Sequence, residues 1–415
     1  MDPIDKGVTK MSNEWLPNIE TASVFLSPSA VVCGRGSSGN VASLLRVHVG
    51  IDSGNVLVAV DDAVLNAGLA RGLVTDLEQN GYAVTLVSGF GSEPTSEVID
   101  SAAMTARNAG ADIVIGMGGG SVLDSSKMLS LLLRNEGNTA DWLGVVEPPA
   151  GVAPLILIPT TCGTGAEATR IAMVTVAGSK RVVSCAKFLP TIAIIDPNLV
   201  SSLPRGVIAS TGMDALAHAV EALMSTAGSP MSAHHAVLAI ELLVGNLEKA
   251  FNGDQDALAS CLWGAHLGGQ AINAGVVLGH SLAYCLAHEQ PMPHGTSCAL
   301  ALPYCIAYNQ SLDRGVATKL SQLLTQGESD TLLDAALAVQ RLTRRLGLPT
   351  SLDEARVPSS TEASMASRCV TDYPRANNPV AFDESTILDM LRRMRSGDVS
   401  GAFAVTRVLA SADQH

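Results

Sequence analysis

Asp214 and His218 lie four residues apart in TGMDALAHAVEAL, and His280 and His294 follow in LGHSLAYCLAHEQPMPHG. On a helix, positions i and i+4 share a face, so the carboxylate and the first imidazole can point at a common ion. Two further imidazoles complete a four-donor set. One carboxylate and three neutral imidazoles leave a divalent ion with a net charge of about +1, which suits Fe(II) or Zn(II) and not an oxygen-seeking ion such as Ca(II). The chemistry implied is that of a Lewis acid.

A second constellation lies about a hundred residues earlier, in ADIVIGMGGGSVLDSSKMLSLLL. The apolar run from Ile113 to Gly116 predicts a buried strand. Gly118, Gly119, Gly120 and Ser121 predict a turn, and the apolar spacing from Val122 to Leu133 predicts a helix. Glycines let the backbone come close to a phosphate, and a helix N-terminus offers unpaired N–H groups and the positive end of a dipole, so a pyrophosphate fits there. In APLILIPTTCGTGAEATRIAMVT the run Pro154 to Ile158 predicts another short buried strand, and Thr160, Thr161 and Thr164 follow in an irregular loop whose hydroxyls and N–H groups can bond a nucleotide.

The elements that must position these groups change character once along the chain. From Ala30 to about Asp196 short β-rich runs (VLVAV, AVTLV, DIVIGM, PLILIP, TIAIID) alternate with helical stretches, which predicts a parallel sheet flanked by helices. After Pro204 long Ala/Leu-rich helical patterns take over. The expected organisation is a flexible extension over 1–20, an α/β dinucleotide-binding domain with a parallel sheet over 21–203, and an all-α metal-binding domain over 204–415. The metal donors then lie on one side of the boundary and the cofactor loops on the other, which puts a site in the cleft between them. Pro358 to Asn378 reads as a polar surface loop.

Composition narrows the class. Of 415 residues 47% are hydrophobic but only 3% aromatic, so the core must be built from Ala, Val, Leu and Ile. A net charge of −13 argues against nucleic acid or an anionic membrane as partner. No run of eighteen apolar residues and no basic-then-apolar leader is visible. The eight cysteines form no CxxC pair and read as reduced thiols. A cytoplasmic enzyme acting on a small molecule is the expectation.

Taken in order, SEPTSEVIDSA, GMGGGSVLDSSK, IPTTCGTGAEAT, IIDPNLVSSLP, TGMDALAHAVEA, the segment from His280 to His294 with HGTSCALALPY, and NNPV at 377–380 resemble the iron-dependent (group III) alcohol dehydrogenase family of the dehydroquinate-synthase-like superfamily. The resemblance implies a homodimeric oxidoreductase that interconverts an alcohol and its aldehyde or ketone by hydride transfer. It places Asp214, His218, His280 and His294 on the metal ligands, with Fe(II) the family's metal and Zn(II) the alternative. Gly119, Gly120, Ser121 and Asp124 fall on the pyrophosphate-binding motif, and Thr160, Thr161 and Thr164 on the second nucleotide loop. Asp61, after the strand VLVAV, falls where an acidic residue faces the adenosine ribose; a carboxylate there accepts from a free 2′-hydroxyl and repels a 2′-phosphate, favouring NAD over NADP. Lys187 lies near the lysine that the family often sets by the nicotinamide ribose.

Two departures stand out against that pattern. Tyr284 replaces the second histidine of an HxxxH pair that relatives use to pass a proton, so Tyr284 joins His280 as a candidate catalytic residue or, equally, shapes the substrate pocket. Ala166 replaces a serine. The alternative within the superfamily is a maleylacetate-reductase-like reduction of a keto acid without metal, to which Lys180, Arg181 and Lys187 would present positive charge. A dehydroquinate-synthase-like cyclase is disfavoured by the Pro-Thr-Thr and MDALAH motifs.

Overall fold

The computed structural model describes residues 15–17 and 22–404. Most of the extension expected over 1–20 therefore lies outside the described residues, although Trp15 and Leu16 pack on the helical core. Among the described residues no helix is long and apolar enough to cross a membrane.

The apolar runs of the first half form strands β1 (Ala30–Cys33), β2 (Gly54–Val60), β3 (Tyr82–Val87), β4 (Ile113–Gly118), β5 (Gly144–Val145), β6 (Leu155–Pro159), β7 (Ile171–Val176), β8 (Ser179–Ser184) and β9 (Ile192–Ile195). Six of them make one sheet in the order β1-β9-β6-β4-β2-β3, with every neighbouring pair parallel. Both faces are buried, and successive residues alternate between two cores. Leu57, Ala59, Val114, Leu155 and Leu157 face one core, while Val56, Val58, Val60, Ile113, Ile115, Ile156 and Ile158 face the other. The crossovers carry helices α1 (Val41–His48), α2 (Asp62–Asn66), α3 (Arg71–Gln79), α4 (Ser96–Asn108) and α5 (Gly120–Leu132).

Strand order reverses at β2, which has β3 on one side and β4 on the other. In such sheets the crevice beyond the carboxyl ends of the strands at the reversal is where ligands bind. Asp61 follows the last residue of β2, and Gly118 ends β4 with Gly119 to Ser121 leading into α5, so both segments stand at that crevice.

A second sheet of three strands, β5-β8-β7, was not expected from the sequence. β7 and β8 form an antiparallel hairpin whose turn places Ala177 (φ 49°) and Gly178 (φ 72°) in the left-handed region. Most of β8 is exposed, so it lacks the buried alternation that marks a strand. The hairpin is fastened to α5 by a buried lysine. The Lys127 ammonium donates to Asp124, to the Thr169 hydroxyl and to the Ile171 carbonyl, and the other Asp124 oxygen accepts from the Met173 N–H at 2.9 Å.

From Pro204 the chain is helical: α6 (Arg205–Met224), α7 (Pro230–Phe251), α8 (Gln255–Ala271), α9 (Leu278–Glu289), α10 (His294–Tyr308), α11 (Arg314–Leu324), α12 (Leu332–Arg345), α13 (Glu362–Thr371) and α14 (Glu384–Ser396). The stretch from Pro358 to Asn378, read as a surface loop, contains α13, whose Met365, Ala366 and Cys369 are buried. Its few apolar residues stand at helical spacing, a signal too sparse to outweigh its polarity. α6 is buried on almost every side from Ile208 to Met224, which makes it the axis of the helical part.

Candidate metal centre and cofactor crevice

Asp214 and His218 occupy successive turns of α6, His280 the first turn of α9, and His294 the first residue of α10. Three ring nitrogens approach one carboxylate oxygen: from Asp214 Oδ1, His294 Nε2 lies at 3.7 Å, His280 Nε2 at 3.8 Å and His218 Nε2 at 3.9 Å. Helices bring them this close because glycines admit the backbone. A Cβ on Gly295 would fall 1.9 Å from the Ser210 carbonyl oxygen, so only glycine lets α10 begin against α6.

Glu221, one turn beyond His218 on α6, organises the entry to α9. One of its oxygens accepts from His280 Nδ1 at 2.6 Å, and the other accepts the N–H groups of Val277 (2.7 Å) and His280 (3.2 Å). It thus caps the helix and fixes the His280 tautomer, since a carboxylate can only accept and Nε2 is left with its lone pair toward Asp214. A Cβ on Gly279 would lie 2.5 Å from this carboxylate. Cys298, one turn after His294, sits 3.6 Å from His294 Nε2 and 3.8 Å from His280 Nε2. Neither residue was singled out from sequence. Both follow from extending the helical stripes, Glu221 at i+7 from Asp214 and Cys298 at i+4 from His294.

This donor set fits a metal ion. Asp214 Oδ1 is buried and accepts no hydrogen bond, a costly state unless a cation faces it. Burial pushes the His218 and His294 imidazoles down, His294 to about 3, so both are neutral lone-pair donors near neutral pH. Burial also pushes the Cys298 thiol well up, which leaves it protonated unless a metal displaces its proton. The donor atoms of Asp214, His280, His294 and Cys298 lie within 4.8 Å of one another, and His218 stacks on the His280 ring at 4.8 Å between centroids.

The centre opens into a cavity of about 520 Å³. Its other wall carries Gly120, Ser121, Asp124 and Thr164 from the sheet side, so one space joins the glycine turn to the metal donors. Gly120 has its own steric reason, because a Cβ there would meet Thr164 Cγ2 at 2.7 Å. Asp61, Gly119 and Thr161 cluster just beyond, and the Gly119 N–H donates to Asp61 at 3.4 Å. Thr160 is buried, with its N–H donating to the Gly118 carbonyl at 3.0 Å. Asp124 lines the cavity but has both oxygens committed to Lys127 and Met173. Lys187 is not brought to the cavity; its ammonium lies beside Gly151. Asp62 accepts from the Gly89 N–H at 3.2 Å, which separates its role from that of Asp61.

Tyr284 lines the same cavity, stacked on His294 at 5.3 Å with an interplanar angle of 9°. Burial pushes its phenol well above the usual value, which keeps it protonated near neutral pH.

Both halves of the chain match models of one known family. Residues 28–197 match the model for the iron-containing alcohol dehydrogenase domain, and residues 208–395 match the C-terminal domain of the same family. The chain is 31% identical over 367 residues to the probable alcohol dehydrogenase EutG of Escherichia coli, covering 87% of this chain and 92% of that protein. It is 40% identical over 252 residues to long-chain-alcohol dehydrogenase 1 of Geobacillus thermodenitrificans, a match spanning 59% of this chain and 64% of that one. Among solved structures, sulfoacetaldehyde reductase from Bifidobacterium kashiwanohense in complex with NAD+ superposes with a TM-score of 0.83 at 25% identity, covering 91% of this chain and 99% of that one.

Proposed function

The chain belongs to the iron-containing alcohol dehydrogenase family, a family of oxidoreductases, and from that premise we propose that it interconverts a small alcohol and its aldehyde or ketone with NAD as hydride carrier and a divalent metal at Asp214. The observation that carries the reading is the convergence of three imidazole nitrogens on the unpartnered Asp214 oxygen at the mouth of a cavity that reaches the glycine turn. A divalent ion held by these residues would supply a Lewis acid for the substrate oxygen, and a nicotinamide cofactor in the crevice would supply the hydride chemistry.

The residues of this chain supply position. Asp214, His218, His280 and His294 would hold the ion, with Glu221 setting the His280 tautomer. Gly120 and Ser121 at the start of α5 would offer N–H groups to a pyrophosphate, Gly119 just before them lets it come close, and Thr164 closes over the turn. Tyr284 keeps its proton, so it orients the substrate and does not relay a proton by titrating. Keto-acid reduction without metal is not favoured, because it leaves the buried Asp214 oxygen without any partner.

Asp61 favours a free ribose hydroxyl, and its neighbourhood to Gly119 puts its charge beside the proposed pyrophosphate turn. Metal-loaded protein should therefore reduce a panel of small aldehydes with NADH at least about tenfold more efficiently than with NADPH, and Asp61→Gly should narrow that ratio. Steady-state kcat/KM for each cofactor checks this. Equal use of both by the native chain would count against Asp61, and no reduction of any aldehyde would count against the reaction itself.

A further inference from the structure

The chain carries 39 acidic residues against 26 lysines and arginines, yet Arg170, Lys180 and Arg375 all line the metal-site cavity. Two of these cations are accounted for. Lys180 lies 3.5 Å from Glu93, and Arg170 is solvent-exposed at the rim. Arg375 is different. It is only partly exposed, its Nε donates to the Ser281 hydroxyl at 3.1 Å, and that hydroxyl donates to the Tyr373 carbonyl at 2.6 Å. Among the described residues nothing accepts from either terminal nitrogen of its guanidinium, and no carboxylate lies within 4.0 Å.

The loop that carries Arg375 is firmly held. Asn377 donates to the Ser225 hydroxyl (2.9 Å) and to the Val276 carbonyl (3.1 Å), while the Asn378 side chain accepts from the Leu278 N–H at 3.1 Å. These bonds tie the loop to the start of α9, two residues before His280. The guanidinium stands 5.9 Å from the centre of the Tyr284 ring, which in turn stacks on His294. A fixed, half-desolvated fork with two free donor nitrogens, one ring away from the metal donors, is complementary to a planar or tetrahedral anion.

We propose that Arg375 binds the acidic tail of the substrate, and that the enzyme's preferred substrates are short aldehydes, or the matching alcohols, bearing a terminal carboxylate or sulfonate. This rests on the reaction proposed above and names its substrate class. The Tyr284 face lies between the two ends: the substrate oxygen sits toward Asp214, the anion sits at Arg375, and the short apolar chain runs along the ring.

The test compares butanal with 4-oxobutanoate and 3-oxopropanesulfonate as substrates of the metal-loaded enzyme, with NADH, in the native chain and in Arg375→Gln and Arg375→Lys. The expected result is a kcat/KM at least about tenfold higher for one or both anionic aldehydes in the native enzyme, the two anions showing which head group is meant. That preference is lost in Arg375→Gln and partly restored in Arg375→Lys. Equal efficiency for neutral and anionic aldehydes in the native chain, or a preference that survives Arg375→Gln, overturns the inference while leaving the dehydrogenase reading standing. A rise in the NADH dissociation constant of Arg375→Gln with the tail preference intact assigns the guanidinium to the cofactor, which also overturns it. If no aldehyde is reduced, the reaction itself fails, and calorimetric binding of 4-hydroxybutyrate against 1-butanol decides Arg375 alone: binding of the anion that disappears in Arg375→Gln upholds the site, and no difference refutes it.

Discussion

Asp214→Asn is expected to keep the fold, lose the metal and lower kcat/KM by about a thousandfold or more. The side chain is buried on α6, and its Oδ1 accepts no hydrogen bond among the described residues while three imidazole nitrogens face it, so a cation would complete the group. An amide of the same shape fills the space without that charge. Lewis-acid stabilisation of the substrate oxygen is worth several kcal/mol, and each 1.4 kcal/mol or so is about tenfold in rate, which sets the size of the loss. The substitution also separates chemistry from folding. Because the amide fills the same space and can still accept a hydrogen bond, the melting temperature of the metal-free protein should change little. Elemental analysis, steady-state kinetics and a thermal melt on the same sample check all three. A variant that melts early would instead assign Asp214 to structure.

The second large effect is expected at Glu221. In Glu221→Gln the amide oxygen can still accept from the Val277 and His280 N–H groups, but its NH2 now faces His280 Nδ1. Two donors cannot share that contact, so His280 must move its proton to Nε2, the nitrogen 3.8 Å from Asp214. The lone pair that a metal needs is then gone. Metal affinity should drop by about 10–100-fold, the usual cost of losing an outer carboxylate partner, with a modest change in stability. Glu221→Ala should differ in kind. It removes the cap of α9 as well and strands three buried donors, at about 1–3 kcal/mol for each unsatisfied group. Competitive titration with a chromophoric chelator separates the two variants: weaker metal binding with a native-like melt for Gln, and an early melt for Ala. Unchanged affinity in Glu221→Gln would show that His280 is oriented by something else.

The sequence carried the site unevenly, and the reasons are physical. Asp214 and His218 are legible because one helix enforces their shared face, and the glycine turn is legible because a buried strand and a helix bracket it. The parallel sheet follows from strands that are apolar on both faces. Glu221 and Cys298 lie on the same helical stripes as residues already chosen and needed only one more turn of reasoning. Arg375 could not be found that way. Its place depends on Asn377 and Asn378 bonding to residues 152 and 100 positions away, which no local spacing encodes. Lys187 shows the same limit from the other side: it is near the motif in sequence, but its ammonium lies beside Gly151 and does not line the cavity. The β7–β8 hairpin stayed hidden because its outer strand is mostly solvent-exposed and its register is held by Lys127 and Asp124 from α5.

The central claim, that catalysis runs through an ion held at Asp214, is tested most directly by stripping the native enzyme with a chelator and adding back Fe(II) or Zn(II) anaerobically, while metal content and NADH-dependent aldehyde reduction are followed together. Stripped enzyme should keep less than about a hundredth of the activity, and the rate should return in proportion to bound metal, saturating at about one ion per chain. Stripped enzyme that reduces its substrate at the undiminished rate would contradict the claim.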